Sequence, residues 1–322
     1  MTTTTVDRPG AIDARPVPHP GRWVAVAAIA LIAAMMVSSF VTNERWGFGF
    51  AWEIMQQKPV LQGLWKGTIL GTIIAMLVGV SLGILLAVMR LSDNPVLRAV
   101  GFAYVWFFRA MPRYVLLAIM GIGIGFLYKT LDIGLPFGQQ ISNALGMSND
   151  LTFFSFNYND ISSTIWIGAL GLGLSEAAYM AEIARAGILS VDKGQQEAAQ
   201  ALGMSPGKTM RRVVLPQAMR VIVPPTGNET IAMVKDTSLL VAIPVNIELY
   251  FQAYNFGQRD FKIMSGFMAC TMWYLIVCSV LMVGQYYLER HFGRGFGTTK
   301  APKNQELKAK MVGVGNAGAG NP

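Results

Sequence analysis

Three stretches of this chain, 22–41, 65–89 and 263–287, each pass about 20 or more consecutive positions with almost no charged side chain. A run of that length crosses the roughly 30 Å of hydrocarbon in a bilayer as a helix. Inside lipid every backbone amide must be satisfied by the segment itself or by a closed barrel. The runs are too long and too continuous in their apolarity for barrel strands. The fold class is therefore all-α and membrane-embedded. Composition agrees, with 53% apolar and only 14% charged residues, against about 25% charged in soluble domains.

Three less regular stretches complete a set of six spans. Residues 99–128 are interrupted by Arg109-Ala110-Met111-Pro112-Arg113, residues 161–183 carry several charges, and residues 221–245 are broken by Pro224-Pro225. Gly67/Gly71 and Gly79/Gly83 in the second span are small-xxx-small pairs that let helices approach closely. The domain division expected is a disordered tail over 1–21, an extra first helix and amphipathic connector over 22–64, a transmembrane domain over 65–288, and a partly disordered basic tail over 289–322. A cleaved signal peptide is the rival reading of the first run, because Arg8, Arg15 and Arg22 precede it. Its apolar core is long for that purpose, and a retained span is expected. The longest loop, 129–160, is either a variable surface loop or a contact for an external partner. Cys270 and Cys278, eight apart on one apolar helix, cannot reach each other as a disulfide.

Six spans put both termini on one side. Under that topology 17 Lys and Arg fall on the side of the tails, six on the other, and three within spans. The positive-inside rule then places both termini and the segment 197–216 in the cytoplasm of a multi-pass plasma-membrane protein. It also accounts for the net charge of +8 without any nucleic acid.

Residues 197–216 form a polar, basic island. Glu197 to Leu202 are helix formers, and Gly203 suits the left-handed turn that ends a helix. Ser205-Pro206 reads as an N-cap and first helical position, and Leu215-Pro216 as the end of a second short helix. The spacing of Glu197, Ala198, Ala199, Gly203, Val213, Leu215 and Pro216 resembles the EAA motif of the membrane subunits of ABC importers. Ala178-Tyr179-Met180-Ala181-Glu182-Ile183, Leu215-Pro216-Gln217-Ala218, Gly227-Asn228-Glu229 and Asp236-Thr237-Ser238-Leu239 narrow this to permeases of the polar amino acid family.

The resemblance implies a type I importer transmembrane domain. It implies a second permease subunit, as homodimer or heterodimer, two ATPase subunits and an extracytoplasmic binding protein that delivers an amino acid. It further implies that Glu197, Ala198, Ala199, Leu202, Gly203, Leu215 and Pro216 couple to the ATPase. Any ATP and magnesium would be held by that partner; no cofactor, metal site or catalytic residue is expected in this chain, which is read as a permease and not an enzyme.

Ionisable residues inside spans carry whatever chemistry there is. Each costs about 2.5–3.5 kcal/mol at a helix centre on insertion scales. Glu229, Lys235 and Asp236 therefore place the fifth span against the bundle interior or a watery path. Helical spacing puts Glu229 and Asp236 on one face with Met233 and Leu240, and Asn228 with Lys235 on the next. The fourth span supplies Glu176 and Tyr179, with Glu182 and Arg185 spaced as a local ion pair. Glu176 either receives a substrate cation or pairs with Arg109, whose Phe108-Arg109-Ala110-Met111-Pro112 setting is similar to the family's Phe-Arg-Gly-Thr-Pro motif but departs at Ala110 and Met111. The path candidates are Arg109, Glu176, Tyr179, Asn228, Glu229, Lys235, Asp236, Thr237 and Ser238.

Other classes fare worse. Gly203 to Thr209 is one spacer short of a phosphate-binding loop and follows no strand. The alternative function is an ATPase-independent secondary transporter or channel for a small polar solute. It calls for an inverted repeat, which the sequence does not display.

Overall fold

The computed structural model describes residues 20–146 and 151–293. Most of the two expected tails therefore lies outside the described residues. The chain divides into two compact units, Met1–Gly47 and Phe48–Pro322. In the first, helix α1 (Pro20–Thr42) has no buried residue. Its Phe40 ring packs on Trp46, centroids 4.5 Å apart.

The second unit begins earlier than the sequence reading had it. Helix α2 (Phe48–Gln56) buries Ala51, Ile54 and Met55, one stripe at i, i+3 and i+4 that cannot stay in water. These residues join Leu249, Ala253, Ala269 and Cys270 in one apolar cluster. The expected connector over 42–64 is thus split, and its second half belongs to the transmembrane unit.

Apart from a short turn of helix at Tyr158–Ser162, the remaining helices are α3 (Lys58–Leu91), α4 (Pro95–Ala110), α5 (Arg113–Leu127), α6 (Gly138–Leu145), α7 (Ile165–Leu189), α8 (Lys193–Ala201), α9 (206–236), α10 (Leu249–Arg259) and α11 (Ile263–Phe292). Among the described residues α1, α3 and α11 are long and apolar enough to cross a membrane, and a fourth crossing follows if α4 and α5 count as one bent span. The other two expected spans, α7 and α9, are helical and hold the interior charges.

The pairing of α3 with α7 is the most extensive helix contact, and glycine makes it possible. A Cβ added at Gly79 would stand 2.8 Å from Glu176 Cγ, and one at Gly83 would collide with Met180 Cβ. The small-xxx-small pattern is here an actual close approach, and it brings the backbone of α3 against the most buried charge on α7.

Three local expectations change. The interruption of the third span is a corner of 99° between α4 and α5; Met111, forced out of helix by the proline that follows it, is extended at ψ 127°. Leu215-Pro216 does not end a helix. Backbone helix continues from Pro206 to Asp236, through a wider turn over Met210–Val214 in which the Leu215 N–H reaches back to the Met210 carbonyl. That five-residue reach steps the ladder past Pro216, which has no N–H to give. Pro224-Pro225 lie inside α9 without breaking it, and the Gln285 amide of α11 donates to the Pro224 carbonyl at 2.8 Å.

The end of the fifth span also differs. α9 stops at Asp236 and tightens into a 3-10 turn, Thr237–Ala242. Leu240 is therefore not one turn further along the helix face shared by Glu229 and Met233. At the C-terminus, α11 runs to Phe292, so residues 289–292 are helix rather than tail.

The loop 129–160 contains an antiparallel hairpin, β1 (Thr130–Gly134) with β2 (Thr152–Asn157), Thr130 opposite Asn157 and Ile133 opposite Phe154. Phe153 and Phe154 are exposed. Both cysteines are free and buried.

Candidate functional site

Helix α7 presents two acidic residues to the protein interior, one and a half turns apart. Glu176 is the deeper one, with no exposed surface. Its Oε2 accepts from Arg113 Nη2 at 2.8 Å, and the same guanidinium donates through Nη1 to Asp236 at the end of α9. Arg113 is the first residue of α5, immediately past the corner at Met111-Pro112. The cluster thus joins three helices through one planar fork, the geometry for which arginine is suited. Glu176 Oε1 has no hydrogen-bond partner among the described residues. Glu229 stands near enough to Glu176 for their like charges to interact.

Tyr179, one turn along α7, forms the wall of this cluster. Its ring lies 5.0 Å from the Arg113 guanidinium and 5.5 Å from that of Arg109. Beyond the ring is a second cluster, in which Glu182 is bonded by Arg90 from the end of α3 and by Arg185 at 3.1 Å. Arg109 Nη1 is 3.9 Å from Glu182 and its side chain is 49% exposed. Arg90, Phe102, Trp106, Arg109, Tyr179 and Glu182 line a cavity of about 420 Å³ on that side. A neighbouring cavity of about 490 Å³ between α3, α7 and α9, lined by Val80, Ile84, Met180, Ile188 and Ile222, is apolar and offers a zwitterion nothing.

The arginine that meets Glu176 is therefore Arg113, not Arg109. The sequence reading offered Glu176 either a substrate cation or Arg109; across the 99° corner Arg109 instead stands 3.9 Å from Glu182, and Arg113 takes Glu176. The expected i, i+3 pair of Glu182 with Arg185 is present, and Arg90 joins it from another helix. Of the fifth-span candidates, Asp236 enters the Arg113 cluster and Glu229 lies beside it, while Asn228 and Lys235 are exposed. Ser238 bonds back to the Lys235 carbonyl at 2.7 Å, and Thr237 to that of Val234 at 2.8 Å.

A second fully buried carboxylate, Glu248, was not singled out from the sequence at all. It caps α10 by accepting from the Tyr250 N–H at 2.7 Å. It also accepts from the hydroxyls of Thr68 at 2.8 Å and Tyr274 at 2.6 Å. These ties bind α3, α10 and α11 together at one point. The only sequence signal was an acidic residue two positions before an aromatic run, which reads as an ordinary cap.

The segment 197–216 has the expected shape at its turn. α8 is capped by Asp192, whose carboxylate accepts from the Gly194 N–H at 2.6 Å, so it starts four residues before Glu197. It ends at Ala201, and Gly203 just beyond has a left-handed φ of +76°. The Gly203 N–H returns to the Gln200 carbonyl and the Met204 N–H to that of Ala199, the paired bonds of a glycine-terminated helix. Ser205 has the extended backbone of an N-cap but makes no side-chain cap bond. Glu197, Ala198 and Pro216 are exposed and Ala199 is buried. Leu202, at the tip, is 83% exposed, and Leu215 is partly exposed.

Residues 79–294 match the family model described as the inner membrane component of binding-protein-dependent transport systems. The chain is 43% identical over 307 residues to the arginine transport system permease protein ArgU of Corynebacterium glutamicum, covering 95% of this chain and 91% of that one. It is 33% identical over 252 residues to the L-cystine transport system permease protein TcyB of Bacillus subtilis, covering 77% and 94%. Among solved structures it resembles an amino acid ABC transporter crystallised with histidines, at 26% identity and a TM-score of 0.55, over 71% of this chain and 93% of that one. An inward-facing form of the MetNI methionine ABC transporter shares the fold at 19% identity, with a TM-score of 0.51 over 73% and 96%.

Proposed function

The chain belongs to the inner-membrane-component family of binding-protein-dependent transport systems, and we propose that it is the permease subunit through which an ABC importer passes a cationic amino acid. One observation carries the cargo class. Two carboxylates, Glu176 and Asp236, share a single guanidinium, Arg113, in the interior of the helix bundle, and a third, Glu229, lies near enough to Glu176 for their like charges to interact. A site with that imbalance attracts a cation, and low-dielectric walls strengthen the attraction. The similarity to an arginine permease over nearly the whole chain supports the same class.

The segment around Leu202 and Gly203 is the surface we assign to the ATPase partner. Because α9 is one backbone helix from Pro206 to Asp236, a push on the turn at Gly203 travels along a rigid rod to the carboxylate that Arg113 holds. Closure of two ATPase subunits, which bind and hydrolyse the ATP, would rock α9 and move Asp236 relative to Glu176, a rigid-body switch. A second permease subunit and an extracytoplasmic binding protein complete the assembly, and both termini face the cytoplasm.

Uptake of radiolabelled arginine by cells carrying the importer tests this reading. Glu176→Gln and Asp236→Asn are expected to reduce arginine uptake at least tenfold, with excess citrulline, the uncharged isostere, competing poorly in the unsubstituted protein. Unchanged arginine uptake in both variants would remove the cation site. Coupling is tested separately. Gly203→Asp is expected to insert normally yet hydrolyse ATP without uptake, and cysteines placed around Ala201 should cross-link to the ATPase in native membranes. Coupled uptake in the first case, or no ATPase captured in the second, would refute the lever.

A further inference from the structure

Arg113 bridges carboxylates from two different helices while standing one residue beyond a backbone joint. The guanidinium is thus both tightly held at its tip and, at its base, attached where the chain turns by 99°. The bridge is also incomplete: Glu176 is wholly buried, yet only Oε2 is bonded, and Oε1 has no partner among the described residues. Leaving a buried acceptor without a donor costs about 1–3 kcal/mol, more for a charged group. Such groups are few in native proteins and each has a reason, among them strain, a catalytic role, or a bound water or ion.

Building on the reading that the cargo cation binds at these carboxylates, we propose that the Arg113 guanidinium holds that cation's place and is displaced by it, turning from Glu176 and Asp236 to the cargo's own carboxylate. The exchange is like for like. A guanidinium or ammonium from the cargo takes over Asp236 and donates to Glu176 Oε1, which Arg113 leaves unserved. The displaced side chain is not stranded, because the Tyr179 ring is already 5.0 Å from it and holds a guanidinium in either position. Its lost ion pairs are replaced by one to the cargo's α-carboxylate, bidentate in the usual arginine manner.

Two consequences follow from the exchange. First, Arg113 competes with cargo, so the measured affinity is reduced by the fraction of time the site is open. Second, Arg113 selects for a molecule with a cation at one end and a carboxylate at the other. A cation without a carboxylate would evict Arg113 and leave its charge buried and unpaired, which is strongly unfavourable. Arg113 is on this account a specificity-determining residue rather than a fixed strut.

The test is equilibrium binding of L-arginine and of agmatine, its decarboxylated counterpart, to the importer complex in nanodiscs without its binding protein. In the unsubstituted complex arginine should bind well and agmatine poorly. In Arg113→Gln agmatine should bind about tenfold tighter than before, the competitor having been removed, and the preference for arginine should disappear. Arginine and agmatine weakening together in that variant would overturn the proposal and make Arg113 a strut or a plain cargo contact. Should Arg113→Gln fail to assemble, Arg113→Lys keeps the cation but cannot bridge two carboxylates with a planar fork. It should shift agmatine binding in the same direction by a smaller factor, and no shift or a weakening would overturn the proposal. Glu176→Gln in the Arg113→Gln background separates the two layers of argument. Loss of agmatine binding there supports the cation site, whereas undiminished binding would sink the site itself and, with it, the reading on which the exchange rests.

Discussion

Among the described residues two glutamates are completely buried, and they are satisfied in opposite ways. Glu248 is ringed by neutral donors, the hydroxyls of Thr68, Tyr274 and, at 3.4 Å, Thr237, together with the Tyr250 amide. Glu176 has one bonded oxygen, one with no partner among the described residues, and a cation shared with another carboxylate. Neutral donors that saturate a carboxylate make a permanent joint: nothing arriving from outside offers it a better partner. A carboxylate held by a single shared cation, with an acceptor to spare, is one that a second cation can win. The first kind of burial builds the bundle and the second leaves it something to do.

Substitutions can break that contrast, and the largest effect belongs to the saturated residue. Glu248→Ala strands the Thr68 and Tyr274 hydroxyls and the Tyr250 N–H in one place. It is expected to cost about 3 kcal/mol or more, read as a large fall in the thermal midpoint of the purified complex. Tyr274→Phe removes one charge-assisted bond from the same joint and should cost about 1.5–3 kcal/mol, with arginine binding per folded molecule unchanged. Glu176→Gln should cost less, about 1 kcal/mol, because Arg113 keeps Asp236, whose side chain is 31% exposed and so partly solvated. Its effect should instead appear in arginine uptake. Equal thermal losses for Glu248→Ala and Glu176→Gln would erase the distinction between joint and site. Smallest of all, Tyr179→Phe keeps the ring beside both guanidinium groups and should move stability by no more than about 0.5 kcal/mol. A clear loss of arginine binding there would show that the hydroxyl, not the ring, does the work.

The glycines of α3 sharpen the comparison from the backbone side. A methyl at Gly79 would press on Glu176 at 2.8 Å, and overpacking of this kind costs about 1–3 kcal/mol. Gly79→Ala should therefore lower both the thermal midpoint and arginine uptake. A substitution on the saturated joint, such as Tyr274→Phe, should lower the first alone.

Much of the architecture was legible before any coordinates. Apolar runs longer than a bilayer is thick gave α1, α3 and α11 as helices able to cross a membrane, Gly203 gave the left-handed turn, and Glu182 with Arg185 gave its pair, because each depends on neighbours within a few residues. Errors came where a local signal met a longer-range constraint. Leu215-Pro216 looks like a helix end, yet a single five-residue backbone reach carries the helix past it. Pro224-Pro225 looks like a break, yet α9 continues through both, with an amide from α11 bonded to the Pro224 carbonyl. Arg109 was the one protein partner the sequence offered Glu176, and Arg113 holds it instead.

The sequence by itself determined that this chain lives in a membrane, which family's coupling motif it carries, and which helices hold charges that lipid would reject. Those are properties of composition and of spacing over a turn or two, and the hydrophobic effect enforces them wherever the helices end up. Which charge meets which was decided only by the tertiary structure. Glu176 and Asp236 lie 63 and 123 positions from Arg113, and Thr68 lies 180 positions from Glu248. No periodicity spans such distances. The angle of one corner and the closeness of one helix pair settle them, because an ion pair or hydrogen bond is made or lost within about an ångström.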